Sequence, residues 1–151
     1  MDQLDITIIS MLQQDGTATN AEIAKHTGVS EETVRRRRGR LVREGLMRIV
    51  GVPNPSKLGF EVQAMIALQV DADKLDSVAE EMASMNEVTW VVISTGSVDV
   101  FAWTVLKTIG DLSDLLSRKI SLIEGVRRTE TFVSISVLKE SLGVRMTPDE
   151  D

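Results

Sequence analysis

Cysteine is absent from all 151 residues, so this chain has no disulfide, no thiolate metal ligand and no thiol nucleophile. Tyrosine is absent too, and the aromatic set is only three Phe and two Trp, which makes the expected core aliphatic and methionine-rich. The opening MDQLDITII is acidic and carries no signal-peptide pattern, and no apolar run is long enough to span a bilayer. A soluble, cytoplasmic protein is the expectation. No glycine-rich phosphate loop appears, which argues against nucleotide chemistry. The C-terminal two-thirds lacks His, Cys and Tyr, so no catalytic set, metal site or cofactor is expected there.

What is present is unevenly distributed. Residues 1–50 hold eight Lys and Arg against seven Asp and Glu, a net of +1, whereas 51–151 hold nine against sixteen, a net of −7. Six arginines crowd the segment SEETVRRRRGRLVREGLM: Arg35, Arg36, Arg37, Arg38, Arg40 and Arg43. In an acidic chain of net charge −6, such a cluster points to a recognition helix laid against double-stranded DNA. A merely solvated helix face is the alternative.

The spacing around that segment predicts a helix-turn-helix. A first helix runs from about Asp2 to Gln13, with Leu4, Ile8, Met11 and Leu12 on one face, Asp2 as its cap and Asp15-Gly16 as its stop. Thr19, with Glu22 three residues on, opens a second helix over 20–26 that buries Ile23 and Ala24. Gly28 makes the turn and Ser30 caps the third helix. A helical wheel puts Val34, Leu41 and Val42 on the buried side and Glu32, Thr33, Arg36, Arg40 and Arg43 on the opposite one, with Arg35 at the flank. Ser30, Glu32, Thr33 and Arg35 are then nearest the bases, while Arg36, Arg40 and Arg43 neutralise phosphates. Arg37 and Arg38 border the core, where a packed stem with its head paired to Asp5 or Glu44 is as good a reading as a DNA contact. Gly39 interrupts the helix, either to admit a phosphate closely or merely tolerated. His26 is expected to be exposed or phosphate-adjacent rather than catalytic. Leu46 to Val52 reads as an extended wing, and Pro53 to Ser56 as a hinge.

The remainder follows a β-α-β-β-α-β rhythm: strands over 62–70, 87–95, 98–106 and 126–138, and helices over 74–85 and 111–120. This order predicts a ferredoxin-like sheet, and α+β as the class of the whole chain. The expected divisions are 1–50 for DNA binding, 51–60 for wing end and hinge, 61–140 for the sheet, and an acidic tail over 141–151, mobile from Thr147 and without assigned function. The turn Thr95-Gly96-Ser97-Val98-Asp99 is the one candidate for small-molecule chemistry. Its amides, hydroxyls and carboxylate suit the two ends of a zwitterion, although a plain hairpin turn has the same composition.

Taken in order, these motifs resemble the Lrp/AsnC (feast/famine) family of transcriptional regulators. An LDxxDxxIL-like start occupies 1–9, followed by Asp15-Gly16, Glu22-Ile23-Ala24, Gly28-Val29-Ser30, Thr33-Val34, Arg37, Leu41 and Glu44-Gly45. Beyond the wing come Pro55-Ser56-Lys57-Leu58-Gly59, the TG-x-x-D turn at 95–99, Gly125-Val126 and Glu130-Thr131. The resemblance covers about residues 1–140 and implies a winged helix-turn-helix joined to an amino-acid-sensing, RAM-type domain. It further implies homodimers formed through the sheets, assembly to tetramers or octamers, and an effector near Thr95, Gly96, Ser97, Val98 and Asp99. The chain departs from the family pattern at Met1, at Arg38 in a usually aliphatic position, and at Ser97-Val98 in place of an acidic-aromatic pair. The last change alters the expected pocket wall, so the ligand differs from a leucine-like one or is absent.

The expectation is therefore a sequence-specific DNA-binding regulator whose assembly or affinity responds to a small ligand, an amino acid by resemblance, and not an enzyme. Two alternatives stand beside it: an effector-independent DNA-organising protein of the same fold, and an enzyme like the siroheme decarboxylases, which resemble the same architecture. A single histidine weighs against the second.

Overall fold

The computed structural model describes residues 1–140 and 143–147. It divides into two compact units, Met1–Val52 with the described part of the segment from Lys139 onward, and Pro53–Leu138. In the first, α1 (Gln3–Gln14), α2 (Asn20–Thr27) and α3 (Glu31–Arg43) pack around Ile8, Ile23, Val34 and Leu41, all fully buried. Each helix starts where a side chain answers its free amides. Asp2 and Asp5 cap each other's backbone in a reciprocal box, Thr19 and Glu22 do the same, and the Ser30 hydroxyl accepts from the Thr33 amide at 3.2 Å. Gly28 closes α2 at φ 72°, a left-handed conformation that a side chain would strain.

The third helix is shorter than the basic segment: it ends at Arg43, and the amides of Leu46 and Met47 turn back onto the Leu41 carbonyl. The expected wing has no ladder partner among the described residues, so Leu46 to Val52 runs without regular structure and exposes Leu46, Ile49, Val50 and Val52. Within this unit the described part of the expected tail is anchored. The Gln13 side-chain amide donates to the Val144 carbonyl at 2.7 Å and accepts from the Met146 amide at 2.9 Å, while Met146 packs on the three-helix core. The tail expected to be mobile lies, beyond Thr147, outside the described residues.

The second unit is a four-stranded antiparallel sheet of order β2-β3-β1-β4, with β1 at Val62–Val70, β2 at Val88–Ile93, β3 at Val100–Leu106 and β4 at Val126–Val133. Helices α4 (Leu75–Ser84) and α5 (Ile109–Asp114, continued by a π turn over Leu115–Lys119) cover one face, which gives the βαββαβ, ferredoxin-like arrangement. Ile66, Leu68, Val78, Met82, Val100, Leu115 and Ile120 fill that side. The last strand stops five residues before its expected end: the Ser134 amide bonds the Gln63 carbonyl, next to where β1 begins, and Ser134 to Leu138 has no ladder to join. Among the described residues no helix is long and apolar enough to cross a membrane.

Candidate DNA-binding helix and effector turn

Helix α3 presents Ser30, Glu32, Arg35, Arg36 and Arg43 to solvent, with Thr33 half-buried and its hydroxyl 2.9 Å from that of Ser30. Arg35 pairs with Glu32 on the exposed surface. Neither Arg36 nor Arg43 has an ion-pair partner among the described residues. The exposed side of α3 thus begins at a capped end and carries two guanidinia, those of Arg36 and Arg43, without an ion pair among the described residues.

Two placements differ from the helical wheel. Val42, expected on the buried side, is 43% exposed, because Val34 and Leu41 alone fill the seam. Arg40, expected on the outward face, leans across to α1 and pairs with the fully buried carboxylate of Asp5. A wheel places Cα–Cβ vectors, and the long Arg stem carries its head well off that direction. Arg37 joins the same cluster: its Nη1 donates to Asp2 Oδ2 at 2.6 Å and to Asp5 Oδ1 at 3.2 Å. The bond from the Asp5 amide, then the Arg37 side chain, hold the Asp2 carboxyl below its ordinary range, and the bond to Asp2 with the nearby Asp2 and Asp5 charges raises Arg37 further. Arg38 donates to the Ala18 carbonyl at 3.3 Å and to Asn20 Oδ1 at 3.5 Å, which ties α3 to the start of α2. His26 is exposed on the last turn of α2.

On the sheet unit, the turn between β2 and β3 is pinned to the end of β1. Asp99 Oδ2 accepts from the Val70 amide at 2.8 Å, and the Asp99 amide donates to the Leu68 carbonyl at 2.9 Å. Gln69 Nε2 donates to the Ser97 carbonyl at 2.8 Å, and the Ser94 hydroxyl to the Val98 carbonyl at 2.6 Å. Gly96 takes φ 118°, open only to glycine without strain. Thr95, Gly96 and Ser97 are exposed at the tip, and one Asp99 oxygen is already spent on backbone. Beside the turn lies a cavity of about 140 Å³ lined by Ala67, Gln69, Ser97, Val98, Arg128 and Glu130. Sequence reasoning missed Gln69, Arg128 and the cavity-lining place of Glu130. They meet only through the β1–β4 register, which sets Gln69 opposite Arg128 and Ala67 opposite Glu130. A larger concavity of about 610 Å³ sits in the N-terminal unit, between α1 and the unpaired segment around Ile49.

The AsnC-type helix-turn-helix domain profile matches residues 1–42, and the Lrp/AsnC ligand binding domain profile matches residues 63–144. An HTH-type transcriptional regulator of Pyrococcus furiosus is 39% identical over 140 residues, which is 92% of this chain and 95% of that one. The structure of E. coli AsnC aligns at a TM-score of 0.88 with 27% identity, covering 94% of this chain and 97% of that one. A transcriptional regulator from Neisseria meningitidis, solved as its L-Met complex, has the same fold at a TM-score of 0.89 and 20% identity, covering 95% of this chain and 96% of that one.

Proposed function

The chain belongs to the Lrp/AsnC family of DNA-binding transcriptional regulators, and from that premise we propose that it is a sequence-specific regulator whose assembly or DNA affinity responds to a small amino acid. Its relatives are regulators and not enzymes, so nothing favours the siroheme decarboxylase alternative. The observation that carries the DNA-binding part is the exposure, on one capped helix, of Ser30, Glu32 and Arg35 together with two unpaired arginines. Ser30, Glu32, Thr33 and Arg35 face the bases, and Arg36 and Arg43 neutralise phosphates. Arg40, assigned to the phosphates by the wheel, is committed to Asp5. The working form is a cytoplasmic homodimer that sets two copies of α3 in successive major grooves. Its interface is the open sheet face, where Met65, Trp90, Phe101, Trp103, Val105 and Phe132 stand together without a helical cover. Assembly of dimers to tetramers or octamers follows the family.

For the effector, the cavity of about 140 Å³ beside the turn at Thr95 to Asp99 brings together a guanidinium and a carboxylate, those of Arg128 and Glu130. Arg128 and Glu130 pair with each other in the free chain, and a small zwitterion would replace that contact at both ends, with Arg128 toward its carboxylate and Glu130 toward its ammonium. Fluorescence anisotropy on DNA from upstream of the chain's own coding region, at two salt concentrations and with and without pooled amino acids, tests both parts. Removing Arg36 and Arg43 together should flatten the log K against log salt slope by about 0.9 for each phosphate no longer neutralised. The correct amino acid should shift affinity by roughly 1–3 kcal/mol. Tight binding that ignores every amino acid would favour the effector-independent organiser.

A further inference from the structure

We infer that Asp5 is a positioning residue for DNA binding, a buried internal counter-ion that takes the place of DNA phosphate at Arg37 and Arg40 and withholds both from the nucleic acid. The inference rests on α3 being the DNA-facing helix. Asp5 is completely buried although it lies in the first turn of α1. Its carboxylate accepts from Arg37 Nη1, from Arg40 Nη2 and from the Asp2 amide, so its lone pairs are well used. Asp2 takes a further bond from Arg37. The four side chains Asp2, Asp5, Arg37 and Arg40 therefore form a closed group with no net charge.

The six arginines of α3 sort into kinds that the sequence does not distinguish. Arg35 is paired on the surface with Glu32, both side chains 69% exposed, and such a pair exchanges its partner cheaply. Arg36 and Arg43 have no ion pair among the described residues. Arg38 is spent on neutral acceptors at the start of α2. Arg37 and Arg40 answer a carboxylate that has no access to water. Moving either onto a phosphate would leave that buried charge short of a partner, and a surface contact with DNA does not offset such a loss. Arg40 Nε is itself buried and lacks a hydrogen-bond acceptor among the described residues, so that atom is not presented to a phosphate. A concavity of about 570 Å³ bounded by Asp2, Arg36, Arg37, Arg40 and Arg43 lies over this cluster. It would admit a phosphate, but Asp2 and Asp5 already occupy two of its four guanidinia.

The number of ions released on DNA binding should follow this sorting. The experiment is the salt slope of full-length protein on a fluorescently labelled random-sequence duplex, where binding is electrostatic and needs no known operator. Arg36→Gln and Arg43→Gln should each flatten the slope by about 0.9 for each protomer that contacts DNA. Arg40→Gln should lower the thermal midpoint of the free protein yet leave the slope as in the parent chain. Asp5→Asn, close in shape but uncharged, should steepen the slope by up to about 0.9 for each arginine it releases. A role confined to holding the fold would not steepen it. An Arg40→Gln slope flattened as much as that of Arg36→Gln overturns the inference and leaves α3 as the DNA-facing helix. An unchanged slope in Asp5→Asn overturns it as well. If Asp5→Asn does not fold, the Arg40→Gln comparison decides alone. Slopes unmoved by Arg36→Gln, Arg43→Gln and Arg40→Gln alike remove the DNA-facing reading of α3 and this inference with it.

Discussion

In the three-helix unit a fully buried carboxylate, Asp5, is answered by two guanidinia; among the described residues of the sheet unit, the only buried polar side chain is Thr104, whose hydroxyl donates to the Glu87 carbonyl at 2.6 Å. The contrast follows from size. A unit of three short helices buries little apolar surface around Ile8, Ile23, Val34 and Leu41, and the partly buried side chains of Arg37 and Arg40 reach the internal acid Asp5 beside it. The sheet unit has the opposite surplus. Its helix-covered face is filled by aliphatic side chains, and four of the five aromatic residues, Trp90, Phe101, Trp103 and Phe132, are left on the other face. One unit thus has arginine both inside its packing and on its exposed surface, and the other separates aliphatic from aromatic side chains by sheet face.

The sharpest way to break this contrast is to damage each core and ask whether salt repairs it. Ile66→Ala should cost about 3 kcal/mol in the sheet unit, through poorer packing and a cavity, at any ionic strength. Asp5→Ala should cost a similar amount, about 3 kcal/mol, by leaving two guanidinia facing each other, and added salt should restore part of it by screening. Melting each variant at low and high salt separates the two. Equal salt responses would erase the distinction.

A somewhat smaller effect is expected at the open sheet face. Trp103→Glu should weaken homodimers by about 2 kcal/mol, near thirtyfold in dissociation constant, without unfolding the chain. Sedimentation of dilute protein should then give the mass of one chain. Substitutions at Arg36 or Arg43 should leave the mass unchanged, and a dimer that survives Trp103→Glu would put the interface elsewhere.

The smallest difference is in acid. Hydrogen bonds from Thr17 lower the Asp15 carboxyl, and those from Thr19 lower Glu22; in the sheet unit, Lys119 lowers Glu87 and Lys74 lowers Glu124. A carboxyl held below its unfolded value stabilises the fold above that value and stops doing so as pH falls through the folded one. Both units should therefore hold their melting temperature down to the ordinary values of 4.5 for Glu and 3.8 for Asp, and lose it progressively below them. A melting temperature that already falls between pH 7 and 5 would contradict this assignment.

Much of the fold was legible because its signals are short-range. The boxes at Asp2–Asp5 and Thr19–Glu22 join residues three apart, and β1 occupies Val62–Val70 as its aliphatic run predicts. Even one local signal escaped: Thr108 and Asp111 form a third box, so α5 begins at Ile109 and not at Asp111. The candidate sites were legible only in part. The turn at Thr95 to Asp99 is identifiable from its residues, whereas Gln69, Arg128 and Glu130 join it through a strand pairing that no local pattern encodes.

The starts of the three N-terminal helices, the aliphatic strand and the short segment that concentrates the positive charge are all set by the sequence alone. Those properties depend on neighbours a few bonds away. Which arginines are paired inside the unit depends on packing, because Arg40 meets Asp5 across 35 residues, just as the Val70 amide meets Asp99 across 29. An ionised side chain reports its charge from the sequence, but burial and the partner that neutralises it are set by packing, and these decide whether the charge acts on DNA or holds two helices together.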